Sequence, residues 1–137
     1  MADQTLLTGV AHLGIRVKEL ARSRVFYELF GFEFVAGPMG PEPVAIMKHP
    51  AGIEINFILN GADDVPSNVL MDIDHKHAGY THVALAIREV DAAKAMLDDA
   101  GIPLSGGPID YPGGAVGMFV RDPDRNVVEL YRPAPAA

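Results

Sequence analysis

At 137 residues the chain is long enough for one compact domain, or for two small halves that share a core, since neither half alone would bury enough surface. A hydrophobic content of 49%, charged residues at 21% and a mean hydropathy of +0.15 exclude a disordered chain. The formal charge of −7 and the lack of a basic patch argue against nucleic acid or an anionic membrane as partner, because both require cations to displace counterions.

No apolar run approaches the roughly 20 residues that span a bilayer. Met1-Ala2-Asp3-Gln4-Thr5 lacks the basic start and apolar stretch of a signal peptide, so a cytoplasmic protein is expected. With no cysteine there is neither a disulfide framework nor thiolate chemistry, and any metal must be held by nitrogen and oxygen ligands.

Residues 10 to 17 alternate as a half-buried strand does, with Leu13, Ile15 and Val17 on one side and His12, Gly14 and Arg16 on the other. Val25, Phe26, Leu29 and Phe30 recur at helical spacing between Leu20 and Phe30, and Gly31 stands where a C-terminal glycine belongs. Residues 32 to 35 read as a strand, 37 to 41 as a turn, and 43 to 48 as a second strand. A third, 53 to 59, puts Ile53, Ile55, Phe57 and Leu59 on one face and Glu54, Asn56 and Ile58 on the other.

Periodicity fades from Asn60 to Gly79, where Asp63, Asp64, Pro66, Ser67 and Asn68 favour turns. Asp72-x-Asp74-His75-x-His77 falls in this stretch and reads as a solvated loop rather than a metal site. Next come a strand over 81 to 87, a helix from Asp91, read as its N-cap, to Ala100, and strands over 102 to 105, 115 to 121 and 126 to 132. The glycines from Gly106 to Gly114 read as a mobile loop covering a site, His49 as a turn residue, and residues 133 to 137 as a frayed tail.

The two halves repeat each other. Placing His12 on His82 brings Glu19 onto Glu89, Arg24 onto Lys94, Gly31 onto Gly101 and Phe32 onto Ile102 without a gap. Each half closes similarly, on Ile53-Glu54-Ile55 and Val128-Glu129-Leu130. The expected organisation is an α+β fold of two βαβββ modules, 8–60 and 80–133, joined by a linker over 61–79. Beside small Gly14, Ala84 and Ala86, the polar faces carry His12, Arg16, Glu54, Asn56, His82 and Glu129. Such groups line a ligand cleft better than a core, where each would cost about 1–3 kcal/mol unpaired. Two imidazoles and two carboxylates make a set of charge −2 that a divalent cation cancels; without the ion the carboxylates would repel.

Together with Phe26-Tyr27-Glu28-Leu29-Phe30-Gly31-Phe32 and Asp122-Pro123-Asp124-Arg125-Asn126, this pattern resembles the vicinal oxygen chelate superfamily from about Val10 to Tyr131. That superfamily includes glyoxalase I, methylmalonyl-CoA epimerase, extradiol dioxygenases, and fosfomycin- and bleomycin-resistance proteins. The resemblance implies an incomplete eight-stranded barrel-like sheet, often completed in a homodimer. It also implies His12, Glu54, His82 and Glu129 as ligands of Ni2+, Zn2+, Co2+, Mn2+ or Fe2+.

Glu54 is similar to the glyoxalase I pattern, as is Arg16, which would hold a substrate carboxylate; an ion pair of Arg16 with Glu54 or Glu129 is the competing reading. Asn56 is a further candidate for substrate contact. Ile58 stands where glyoxalase I places an asparagine that binds glutathione, so the cosubstrate stays open, and Arg125 replaces the glycine usual in the last turn. The implied reaction is a metal-dependent lyase or isomerase step through an enediolate on a small substrate, with Glu129 as base and Glu54 as reciprocal acid/base. The alternatives are an extradiol dioxygenase using His12, His82 and Glu129 with help from Tyr80 or Tyr111, an epimerase, or a drug-binding protein of the bleomycin-resistance type.

Overall fold

The computed structural model describes residues 2–64 and 68–136. Pro66 and Ser67 of the expected linker and Ala137 of the expected tail lie outside the described residues. The chain divides into two compact units, Met1–Asp64 and Val65–Ala137.

The first unit runs β1 (Leu13–Arg16), α1 (Leu20–Glu28), β2 (Glu33–Met39), β3 (Val44–His49) and β4 (Ile53–Ile58). Its sheet has the order β1-β4-β3-β2, with β1 parallel to β4 and the other pairs antiparallel. Alternation buries Ala45, Met47, Ile55 and Phe57 on the face covered by α1, where Phe26 and Tyr27 pack with Phe32. The aromatic contacts there, Tyr27 on Phe57 at 5.3 Å and Phe26 on Tyr27 at 4.9 Å, give this half-core its shape. The helix turns Ser23, Phe26 and Tyr27 inward, whereas Val25, counted on the apolar side from sequence, is 66% exposed. Its last turn tightens, with the Gly31 amide bonding the Glu28 carbonyl at 3.0 Å, and Gly31 at φ +93 ends it.

The second unit runs β5 (His82–Ala86), α2 (Val90–Asp99), β6 (Gly106–Asp110), a 3-10 turn (Pro112–Gly114), β7 (Val116–Arg121) and β8 (Val127–Arg132). Its sheet order, β5-β8-β7-β6, repeats that of the first, so each unit is a βαβββ module built on its own four-stranded mixed sheet. Leu85, Leu97, Met118, Val120, Val128 and Leu130 form its buried side. Asp91 is not the N-cap of α2; Glu89 is, without a side-chain cap bond, and Asp91 lies in the first turn, where its charge favours the helix dipole.

Residues 102–104 form no strand, and much of the glycine-rich stretch expected to be a loop is instead the edge strand β6. Likewise β2 runs through Gly37 and Pro38, which read as a turn. Both are edge strands, where a proline's missing N–H is tolerated, and both carry register shifts. Gly37 and Gly107 occupy equivalent places in the repeat, each at positive φ with a neighbouring strand's backbone so close that a Cβ would collide with it.

Candidate functional site

On the face of the second sheet away from its apolar side, β5 presents His82 and β8 presents Glu129. The His82 Nε2 and Glu129 Oε1 atoms are 3.0 Å apart, and the Glu129 side chain is only 9% exposed. Glu129 lies between Ala84 on β5 and Phe119 on β7. The Phe119 ring stands edge-on to the His82 imidazole, 5.5 Å between centroids, and shields one side of the pair. Tyr111, ahead of the 3-10 turn, donates its hydroxyl to Glu129 Oε2 at 3.4 Å. Burial, then the Glu129 charge beside it, pushes the Tyr111 phenol up from its ordinary range.

Gly117 makes this contact possible, since a Cβ there would run into Glu129 Oε2 and come within 2.8 Å of the Tyr111 ring. On the far side of His82, the Thr81 hydroxyl lies 2.9 Å from Nδ1. That hydroxyl can donate to Nδ1 or accept from it, so either imidazole tautomer keeps a partner.

The first unit is built alike but occupied differently. His12 Nδ1 lies 3.9 Å from Glu54 Oε2, and Glu54 Oε1 lies 3.7 Å from Lys48 Nζ on β3. The register of the strands sets which residues correspond. Gly14 is opposite Asn56 as Ala84 is opposite Glu129, Ile46 is opposite Asn56 as Phe119 is opposite Glu129, and the Val17 amide bonds the Ile58 carbonyl as Ile87 bonds Tyr131. The structural counterpart of Glu129 is therefore Asn56, and that of Glu54 is Val127. The Asn56 Oδ1 atom is buried with no hydrogen-bond partner among the described residues. Among those residues, no group of three or more His, Asp or Glu side chains lies together with the spacing of a metal site.

Arg16 pairs with an acid of its own unit. Its guanidinium reaches Glu42 Oε1 at 3.2 Å and Asn60 Oδ1 at 2.8 Å. The Asn60 amide and the Arg16 guanidinium together hold the Glu42 carboxyl below the usual carboxylate range. Tyr80 is fully exposed. His49 is a structural residue: its Nδ1 accepts from the Ala51 amide at 2.9 Å, which leaves Nε2 protonated to donate to the Phe30 carbonyl at 2.9 Å.

Sequence reasoning missed the role of Asp72. It accepts from Arg125 Nε at 2.8 Å and Nη2 at 3.0 Å, from Arg121 Nη1 at 3.0 Å and from the Asn68 amide at 2.9 Å. The Arg125 hydrogen bonds above all hold its carboxyl well below the carboxylate range. Arg125, at φ +65 in a turn organised by Asp122, thus does more than alter a backbone. Neither residue belongs to the His82–Glu129 site; they tie residues 68–72 to the β7–β8 turn.

The fold has many solved relatives. A glyoxalase family protein from Enterococcus faecalis aligns with a TM-score of 0.77 and 22% identity, covering 93% of this chain and 100% of its own. One from Bacillus cereus gives 0.72 and 17%, with coverages of 98% and 100%. The fosfomycin resistance protein FosX from Listeria monocytogenes, crystallised with Mn(II) and sulfate, gives 0.70 and 18%, with coverages of 94% and 93%. No curated protein matches the chain. No helix among the described residues is long and apolar enough to cross a membrane. A family profile described as Glyoxalase/Bleomycin resistance protein/Dioxygenase superfamily matches residues 9–130, nearly the span over which the repeated modules extend, and the chain belongs to that superfamily.

Proposed function

We propose that this protein is a divalent-metal-dependent lyase or isomerase of the glyoxalase I kind, acting on a small substrate with two adjacent oxygens. The observation that carries this reading is the His82–Glu129 pair, an imidazole and a shielded carboxylate 3.0 Å apart on the polar face of a sheet. The donor chemistry fits the ion: imidazole nitrogen and carboxylate oxygen side by side suit Ni2+, Zn2+, Co2+, Mn2+ or Fe2+. The residues of the second unit that would hold it are His82 and Glu129. When bound, the ion supplies Lewis acidity toward negative charge developing on a substrate oxygen.

The rest of the work falls to the chain's own side chains. Glu129 accepts the proton from the carbon beside the substrate carbonyl and returns it to the neighbouring carbon. Tyr111 fixes one of the carboxylate oxygens in orientation, while Phe119 stands edge-on to the imidazole. Thr81 supports His82 in whichever tautomer its role requires. Arg16 exchanges Glu42 for an anionic group of the substrate. A homodimer is part of the same reading, and light scattering on the purified protein checks it.

The test is solvent deuterium exchange at the carbon acid of an α-hydroxycarbonyl probe, such as the thiohemiacetal of a 2-oxoaldehyde, followed by NMR with each of the five ions in turn. The wild type exchanges with at least one ion, and Glu129→Gln still binds that ion without exchanging. Exchange by Glu129→Gln at the wild-type rate, or none by the wild type with any of the five, overturns the proposal.

A further inference from the structure

The alignment that places His12 on His82 also places Ala11 on Thr81, so of these two histidines only the second follows a hydroxyl residue. In the second unit that hydroxyl is used. Thr81 Oγ1 stands 2.9 Å from His82 Nδ1, while His82 Nε2 stands 3.0 Å from Glu129 Oε1. Both nitrogens of one imidazole are therefore engaged.

A neutral imidazole has one N–H and one lone pair, so the two contacts must run in a fixed sense. A carboxylate oxygen only accepts, which puts the proton on Nε2 and leaves Nδ1 bare, and Thr81 then donates to it. The proposed function asks for the reverse arrangement: a divalent ion taken at Nε2 uses the lone pair of that nitrogen, and the ring proton sits on Nδ1. An N–H there needs an acceptor. A hydroxyl meets both demands, since its oxygen carries lone pairs as well as a proton and the group turns about a single bond. A carboxylate or a backbone carbonyl in its place would serve the second arrangement alone. Thr81 is exposed, so its own proton finds water once its oxygen accepts.

We propose that Thr81 is a positioning residue of the candidate site, donating to Nδ1 while His82 bonds Glu129 and accepting from Nδ1 when Nε2 holds an ion. The ring is neutral in both arrangements, one proton leaving Nε2 and one arriving at Nδ1 through solvent. The second arrangement rests on the metal-dependent reading above; the first does not.

The test is long-range proton–nitrogen NMR of the histidine side chains of the full chain at about pH 8, above the ordinary imidazole range, with His82→Gln to assign the His82 signals. Metal-free wild type shows His82 protonated at Nε2, and Zn2+-loaded wild type shows it protonated at Nδ1. Calorimetric titration with each of the five ions gives the affinities. Thr81→Val, which keeps the shape and loses the hydroxyl, binds about tenfold more weakly, whereas Thr81→Ser stays within about twofold of wild type. Thr81→Val keeps the Nε2–H form when metal-free, because Glu129 still accepts, and that signal also shows the variant to be folded around the site. His82 protonated at Nδ1 in the metal-free wild type, or Thr81→Val binding as tightly as wild type, overturns the role of Thr81 and leaves the metal reading intact. A wild type that takes up none of the five ions overturns the metal reading and the accepting role together.

Discussion

Replacing Gly117 with alanine tests the packing of the candidate site without touching a proposed ligand. The new methyl would collide with Glu129 Oε2 and lie 2.8 Å from a Tyr111 ring carbon and 3.1 Å from its hydroxyl. Carbon contacts are comfortable at about 3.5–4.0 Å, so something must retreat by roughly 0.5–1 Å. If the strands absorb the strain, overpacking costs about 1–3 kcal/mol. If Glu129 swings away instead, its bonds to His82 and Tyr111 go, and a lost bond to a charged group costs about 1.5–3 kcal/mol.

Against either, alanine gains about 0.5–1 kcal/mol by restricting the unfolded chain, since Gly117 is not at positive φ. The strain wins. The net expectation is a loss of about 0.5–2 kcal/mol, seen as a lower midpoint in urea at unchanged slope and a fall in Tm of about 2–4 °C per kcal/mol. In a Glu129→Ala background one of the two collisions is gone, so the same substitution costs less, with a coupling of at least about 0.5 kcal/mol. A Gly117→Ala protein as stable as wild type, or an equal cost in both backgrounds, would refute the packing described here.

Arg125 allows strain and pairing to be separated: Arg125→Gly loses the Asp72 contacts but relieves the left-handed backbone, whereas Arg125→Ala loses the contacts and keeps the strain. Urea denaturation should therefore find the alanine variant less stable by about 1 kcal/mol. Asp72, whose carboxyl is lowered in the folded state chiefly by Arg125, stabilises the protein above its unfolded value of about 3.9 and loses that contribution as pH falls toward its folded value. Thermal melts of wild type between pH 5 and 2 should thus fall more steeply than those of Asp72→Asn; parallel curves would deny the linkage. Asn56→Leu, which replaces a buried oxygen with no partner among the described residues by a side chain of similar size, should stabilise the protein by about 1 kcal/mol in urea denaturation, and a loss of that size would show the oxygen to be satisfied after all.

Strand alternation and the duplicated His-containing segment were enough to read both modules from sequence, because a strand with one buried face writes its period into the chain. The edge strands were not legible. Gly37-Pro38 and Gly107-Pro108 carry the composition of turns, and only their place at the margin of a sheet makes them extended. At the site, His82 and Glu129 do meet, but the likeness of Ile53-Glu54-Ile55 to Val128-Glu129-Leu130 is local and says nothing of which residue a neighbouring strand sets beside it. The same holds for Asp72, whose partners Arg121 and Arg125 lie about fifty positions further on, in a turn whose composition explained itself without them.

Glu54 stands two positions ahead of the place in β4 that corresponds to Glu129 in β8, and the evenness of that number decides what it disturbs. An odd slide would have turned every apolar side chain of β4 outward and destroyed the half-core. An even one returns Ile55 and Phe57 to the interior while changing which polar residue faces outward beside β1. A strand of this kind can thus carry its outward-facing acid at either of two places without turning its apolar face away from the core.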